Sequence, residues 1–420
     1  MEIFDVIIIG AGQAGLATSF YLKQHKIIHV VLEQDRIGSS WEKQRWDSFK
    51  MNTPNWMNML PGREIHSQKR HHFMSKDEFV DYLKAYVLQF DLPVLEKHKV
   101  VAVEKVSEIF MVTIDEEGMQ HNILTKTIVV ASGIMNKILF PNLSDLIPKH
   151  ILQVHAANYK NPMELPEGNV LIIGGGQSGC QLAHELILGN RKVYLAGSKV
   201  ARAPRRYRDK DIMEWMDQLG TMDISTIELA DNPNLDATQP QVSGVGLLGH
   251  TISYQSLHQM GVTILGGLKD ADHENLYFED NCKEHIRYAD ETSDAIKKNV
   301  DQYLKKYPEI AVSYTDDDPS DVPDHAYRSA SDLKVINFND FGITTVLWAT
   351  GFGYDFSYLN SSLLDKIGKP KHVEGKMMIE GLYCIGFPWL RKKKSGLVYG
   401  VNEDAKIIVE NILHQLQNLS

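Results

Sequence analysis

Two stretches of this chain space their glycines in the same way. Gly10, Gly12 and Gly15 fall in VIIIGAGQAG, and Gly174, Gly176 and Gly179 fall in VLIIGGGQSG. In such a turn the first glycine closes a tight bend, the second lets the backbone approach a pyrophosphate, and the third lets a helix pack close to a strand. The spacing alone is a weak signal; it gains force only between a strand and a helix. Here FDVIIIG and NVLIIG are short apolar runs rich in β-branched residues, the pattern of strands buried on both faces of a parallel sheet. AGLATSFYLKQHK and SGCQLAHELILGN follow as helices, the latter with a Gly-Asn stop. Each helix start, at Gln13 and Ala14 or at Gln177 and Ser178, turns free N–H groups and a positive dipole end toward a phosphate. The repeat predicts two dinucleotide sites.

The two repeats differ at the adenosine end. After the first, HVVLE ends in Glu33 with Gln34 behind it, and a carboxylate there accepts both hydroxyls of a ribose. After the second, KVYLAG ends without an acid; Ser198 and Lys199 follow, then Arg202, Arg205 and Arg206. An acid would repel a 2′-phosphate, whereas a hydroxyl and nearby cations would bind one. An arginine cluster is otherwise an ordinary solvated face, and the missing acid is what turns this one into a phosphate site. The first site suits FAD and the second NADPH, the natural redox pair.

Composition narrows the rest. With 420 residues, 43% hydrophobic and 23% charged, the chain has room for two globular domains. A net charge of -10 and the lack of an aromatic-interleaved basic stripe argue against a nucleic-acid partner. The three cysteines, Cys180, Cys282 and Cys384, form no CxxC, which offers neither a disulfide framework nor a zinc site and suits a reducing compartment. Disulfide reductases, which also carry two nucleotide repeats, need a cysteine pair beside the flavin. His66, His71 and His72 fit no zinc spacing, so no metal is expected. The first strand starts at Ile3 and no apolar run reaches spanning length, so the expectation is a cytoplasmic protein with no signal peptide and no membrane partner.

The expected fold is α/β, with two Rossmann-type dinucleotide-binding domains, the NADP domain inserted in the FAD domain. Residues 1–150 and 340–420 would form the FAD domain, and 151–339 the NADP domain with an insertion at about 209–332. VVAVEKV, IFMVTID and NILTKTIVVASG read as an antiparallel meander returning to the first sheet. Before it, Ser75 and Glu78 form a capping box on the helix SKDEFVDYLKAYVLQF. A Pro- and Asn-rich linker spans 141–168. The insertion holds helix-like KDIMEWMDQL and SDAIKKNVDQYLKKY, strand-like VTILGG and an acidic loop at 316–318; VLWATGF then returns the chain to the FAD domain. No heptad sets an oligomeric state, and a homodimer is left open.

Further stretches carry a resemblance. IGSSWEKQRWDSFKMNTPNWMNMLPG (residues 37–62) holds a tryptophan, an Arg-Trp pair and an Asn-x-Pro; HILQVHAANY follows the pattern FxGxxxHxxxY at His155 and Tyr159, with Lys149 and Ile151 in place of Phe and Gly. VVASG and LWATGFGYD are strand ends of the Ala-Thr-Gly kind, and GLYCIGFPWLRKKKSGLVYGVNEDAKIIV supplies a last strand and helix. In these stretches, which span nearly the whole chain, the sequence resembles the class B flavin-dependent monooxygenases, the family of flavin-containing and Baeyer–Villiger monooxygenases. With QRWDSF, TPNW and QSGCQ it is most similar to a bacterial subgroup of flavin-dependent oxidoreductases.

The resemblance implies that NADPH reduces FAD and that O2 then forms a C4a-(hydro)peroxyflavin, which oxygenates nitrogen or sulfur of a small-molecule substrate. It implies Asn52 beside the flavin and nicotinamide, Trp41 and Trp46 as walls of the ring site, and His155 as a catalytic or linker-positioning residue. Val101 would contact adenine, Ala131 and Gly133 and likewise Thr350 and Gly351 would flank the cofactors, and Gly386 and the helix start near Tyr399 would face the flavin. Lys392 to Lys394 read as solvated surface. Tyr159 stands where the Baeyer–Villiger branch has Trp, which favours the heteroatom-oxidising branch, with ketone oxygenation as an alternative. An NADPH oxidase or hydride-transfer flavin reductase without oxygen transfer is another, and a non-catalytic redox sensor a third.

Overall fold

Val6, Ile7 and Ile8 have no solvent exposure, because the strand Ile3–Ile9 lies between two parallel partners, His29–Leu32 and Met119–Val130. Its apolar run therefore meets protein on both faces and both edges. The computed structural model describes residues 3–229, 249–310 and 318–418. In the first sheet the strands follow the spatial order His372–Val373, Lys376–Met377, Leu382–Cys384, Met119–Val130, Ile3–Ile9, His29–Leu32 and Val94–Leu95. The meander is present: His98–Val106, Ile109–Glu116 and Met119–Val130 pair antiparallel, and the last of them joins the sheet. Helices Gln13–Gln24 and Val398–Asn418 pack against each other. The capping box forms on the helix Lys76–Phe90, with Glu78 N–H donating to Ser75 Oγ at 3.1 Å and Ser75 N–H to Glu78 Oε2 at 2.8 Å.

The second sheet is wholly parallel, in the order Thr263–Leu265, Val193–Ala196, Asn169–Ile173, Ile343–Trp348 and Leu152–His155. Three expectations change here. The strand in VLWATGF pairs with Asn169–Ile173 and Leu152–His155, so it belongs to the second unit, and the chain leaves that unit after Trp348 rather than at 340. Leu152–His155, expected within a linker, is the edge strand of that sheet. Thr263–Leu265 and the helix Tyr254–Gln259, expected within the insertion, are core parts of the second unit. In each case pairing depends on partners far along the chain, which local periodicity does not report.

The long helix runs Cys282–Lys306, starting well before the expected segment at 293. A three-stranded antiparallel sheet, Leu268–Ala271, Asn275–Phe278 and Val335–Asn337, flanks it in sequence. Val101 does not begin a strand. It lies inside His98–Val106, where the register shifts between Val100 and Ala102. Asp316 and Asp317 of the acidic loop lie outside the described residues. Among the described residues no helix is long and apolar enough to cross a membrane, and no group of three His, Cys, Asp or Glu gathers to hold a metal ion.

Candidate functional site

Both glycine turns sit at the carboxyl ends of their sheets, where open parallel sheets bind ligands. Gly10 and Gly174 have φ of +107° and +112°, a region that disfavours side chains. A Cβ on Gly15 would lie 1.9 Å from the Gly10 carbonyl oxygen, and one on Gly179 would lie 1.8 Å from that of Gly174. These four glycines are required by the turn itself. Gly12 and Gly176 are not, since a Cβ on either would meet nothing within 4 Å. What they keep clear is space outside the protein, as a backbone approached by a pyrophosphate requires. No side chain caps either following helix, which leaves the first turn to a ligand.

At the first adenosine end, Glu33 already braces its turn. Oε2 accepts from Ala11 N–H at 2.9 Å and Oε1 from Asp35 N–H at 3.0 Å. A carboxylate has further lone pairs for two ribose hydroxyls. Burial pushes its titration up and the two N–H bonds oppose that. Gln34 is exposed beside it.

At the second adenosine end the expected cation cluster divides into three. Lys199 stays at the strand end, half-exposed, 2.9 Å from Glu284. Ser198 Oγ accepts from Gly175 N–H at 3.1 Å, and Tyr254 locks this corner by accepting from Ser198 N–H at 3.0 Å. Arg202 and Arg205 are buried, at 2% and 1% exposure, so the expectation that they bind a 2′-phosphate is corrected. Arg202 pairs with Asp290 and Asp321, and Arg205 pairs with Asp211 and lies 4.7 Å from the Phe73 ring. Burial pushes both guanidiniums down in pKa, and Asp290 and Asp211 push back. Arg206 is exposed in a separate cavity of about 290 Å³ with Pro54, His71, Phe73, Asp209, Asp211 and Glu214. The carboxylates that claim Arg202 come about 90 and about 120 residues later in the chain, which is why spacing did not separate it from the others.

Asn52 lies against the helix that follows the second turn. Its Oδ1 accepts from Gln181 Nε2 at 3.0 Å and is 3.5 Å from Gln177 Nε2; its carbonyl accepts from Arg205 Nη1 at 2.9 Å. Arg45 is a residue that the sequence reading passes over. Its guanidinium sits 4.9 Å from the Trp41 ring and 5.3 Å from the Phe49 ring, and Nη1 donates to the Gln44 carbonyl at 2.9 Å. No carboxylate among the described residues pairs with it, and burial lowers its pKa to about 10. The available signal was the run of aromatic residues around it in WEKQRWDSF. Trp46 is buried edge-to-face on Phe49 at 5.1 Å, in the core rather than along a cavity. Trp41 is partly buried against Phe79 at 5.0 Å.

His155 occupies a linking place rather than a catalytic one. Its Nδ1 accepts from Ala157 N–H at 3.1 Å, so Nε2 carries the proton and donates to the Gly351 carbonyl at 3.0 Å. Both nitrogens are thereby used, and burial lowers the pKa, which favours the neutral ring. Thr350 Oγ1 donates to the Leu139 carbonyl at 2.8 Å, across to the loop that follows Gly133. Ala131 is buried behind the first turn, its carbonyl 2.6 Å from where a Gly10 Cβ would fall. Gly386 approaches the same turn, with a Cβ position 3.1 Å from Ala14 Cβ, and Gln13 Nε2 donates to the Gly396 carbonyl at 3.3 Å. Tyr399, at the start of the last helix, donates to Asp217 at 2.7 Å. Ser178 is partly buried in the first turn of its helix, and Val101 is partly buried away from these contacts. Lys392 and Lys394 are not plain surface: both pair with Asp223 and Glu403.

Two glycine turns, each between a parallel strand and a helix, are the arrangement of an oxidoreductase of the two-dinucleotide class. Residues 7–300 match the family described as pyridine nucleotide-disulphide oxidoreductase, and the chain belongs to that family. It is 32% identical, over 98% of its length and 99% of the relative's, to an uncharacterized oxidoreductase CzcO-like from Geobacillus kaustophilus. Its fold is similar to that of a flavin-containing monooxygenase from Stenotrophomonas maltophilia, with TM-score 0.65, 18% identity and 99% of each chain covered. It is also similar to an ornithine N-hydroxylase from Kutzneria sp. 744 solved with reduced FAD, NADP+ and ornithine, with TM-score 0.60, 14% identity, and 99% and 100% covered. All three cysteines are buried and none is in a disulfide. Burial pushes Cys282 up to about 11 and Cys384 higher still, so neither supplies a thiolate for disulfide exchange.

Proposed function

We propose that this chain is an NADPH- and FAD-dependent monooxygenase that uses O2, through a C4a-(hydro)peroxyflavin, to oxygenate nitrogen or sulfur of a small molecule. The observation that carries the reading is Asn52, which belongs to the first unit's stretch of sequence yet is held by the second unit's helix at Gln181. A side chain held in this way serves chemistry that needs both nucleotides. The absence of a cysteine pair removes the disulfide-reducing branch of the same family.

In this reading Gly10, Gly12, Gly15 and Glu33 hold FAD, with the 386–399 segment closing over the same turn. Gly174, Gly176, Gly179, Ser198 and Lys199 hold NADPH. Asn52 accepts with Oδ1 from the second unit, which leaves Nδ2 to donate toward the flavin ring, where it can hold a proton-bearing oxygen in place. Water must be kept from that oxygen, and the Trp41, Phe49 and Phe79 cluster supplies an apolar wall beside the segment. The cavity beside Pro54, two residues from Asn52, is the entrance for substrate.

The test is to reduce the flavin-loaded protein anaerobically with NADPH, mix it with oxygenated buffer and follow the flavin spectrum. A long-lived oxygenated flavin with NADP+ bound supports the monooxygenase. Immediate return to oxidised flavin with stoichiometric hydrogen peroxide supports the oxidase instead.

A further inference from the structure

The second nucleotide unit grips Asn52 at three points. Gln181 Nε2 lies 3.0 Å and Gln177 Nε2 3.5 Å from Oδ1, and Arg205 Nη1 lies 2.9 Å from the carbonyl oxygen. Gln177 and Gln181 are four residues apart on the helix Gln177–Leu188, so they share a face. Gln177 also starts the helix that follows the second phosphate turn. Arg205 is fixed in its own right by Asp211 and Phe73, so its hold on the Asn52 backbone is rigid.

The side-chain grip decides which end of the amide faces outward. Oδ1 only accepts and Nδ2 only donates. The opposite pairing would have Gln181 Oε1 accept from Nδ2 and would turn Oδ1 outward. In the observed arrangement both glutamine nitrogens face Oδ1, Gln181 at 3.0 Å and Gln177 at 3.5 Å. Gln181 Oε1 is buried without a hydrogen-bond partner, the cost of pointing the nitrogen at Asn52.

We propose that Gln181, with Arg205, is a positioning residue that holds the Asn52 amide with Nδ2 outward, so that the second nucleotide unit sets the donor the flavin chemistry uses. The role rests on the monooxygenase reading above. It extends that reading by assigning a function to two residues that touch neither reacting atoms nor phosphate.

The test uses flavin-loaded wild type and the variants Asn52→Leu, Gln181→Leu and Gln181→Glu, each checked for bound FAD. Each is reduced with NADPH and mixed with O2 in the absence of substrate, and the single-turnover rate of hydrogen peroxide release is read across the neutral pH range. Gln181→Leu removes one hydrogen bond and is expected to speed release roughly tenfold. Gln181→Glu goes further: when ionised it only accepts, so it draws Nδ2 toward itself and turns Oδ1 outward. Its release rate should fall back toward that of wild type as the glutamate protonates at lower pH and donates to Oδ1 in place of the amide, a pH step that a packing defect would not create. Gln181→Asn, which shortens the reach by a methylene, replaces the leucine variant if that one fails to retain FAD. If Asn52→Leu speeds release while the Gln181 variants match wild type at every pH, the positioning role is overturned and the monooxygenase reading stands. If wild type itself releases peroxide at once, the monooxygenase reading fails and the positioning role falls with it.

Discussion

Lys199→Ala tests how the second site tells NADPH from NADH. Of Lys199, Arg202, Arg205 and Arg206, the structure commits Arg202 and Arg205 to buried carboxylates and sends Arg206 to another cavity. Lys199 alone remains beside Ser198. A charge-assisted bond from an ammonium to a phosphate contributes about 1.5 to 3 kcal/mol, and the lower end applies because Lys199 is half-exposed and must leave Glu284 first. About 1.4 kcal/mol is a factor of ten. Lys199→Ala should therefore raise the KM for NADPH roughly tenfold and leave that for NADH nearly unchanged. Glu284→Gln should tighten NADPH, since it frees the lysine, and Arg206→Ala should change neither coenzyme. The assay is the initial rate of anaerobic flavin reduction at varied NADPH and NADH. A coenzyme preference that follows Arg206 and ignores Lys199 would refute the division of the cations.

Other outcomes follow from the same geometry. Gly15→Ala places a Cβ 1.9 Å from a carbonyl oxygen and should prevent FAD incorporation by distorting the turn, whereas Gly12→Ala should fold normally and bind FAD more weakly; flavin content and thermal midpoint separate them. Asp211→Ala leaves the Arg205 guanidinium buried without its partner and should cost about 3 to 5 kcal/mol, read from urea midpoints. Burial raises Asp404 to about 6, above its unfolded value, so the folded state binds the proton more tightly and stability falls as pH rises from about 4 to about 6. Asp404→Asn should abolish that fall and stabilise the protein at neutral pH by up to about 3 kcal/mol; equal urea midpoints for the variant and wild type above that window would count against it.

Much of the site was legible in the sequence where the determinant is local. A glycine turn between an apolar strand and a helix depends on neighbours a few residues away, and both turns form where the spacing places them. The capping box at Ser75 and Glu78 and the antiparallel meander are equally local, and both form. The strand Thr263–Leu265 shows the limit. Its apolar run was readable as a strand, but its partner Val193–Ala196 lies about 70 residues earlier, so its place in the second sheet was hidden. The same holds for Ile343–Trp348, whose run reads as strand while its sheet depends on Asn169–Ile173.

The sequence by itself determined that the chain builds two glycine turns between strand and helix, and that only the first is followed by an acid at the end of the next strand. Both are set by residue type at short range: glycine where a Cβ would strike a carbonyl, and a carboxylate or none at a strand end. Only the tertiary structure decided which cations face a ligand and which side chains hold Asn52. Arginine carries the same charge wherever it stands, and whether that charge reaches solvent depends on whether a distant aspartate has folded onto it. The side chains that meet the amide of Asn52, Gln177 and Gln181, stand more than 120 residues away in the chain.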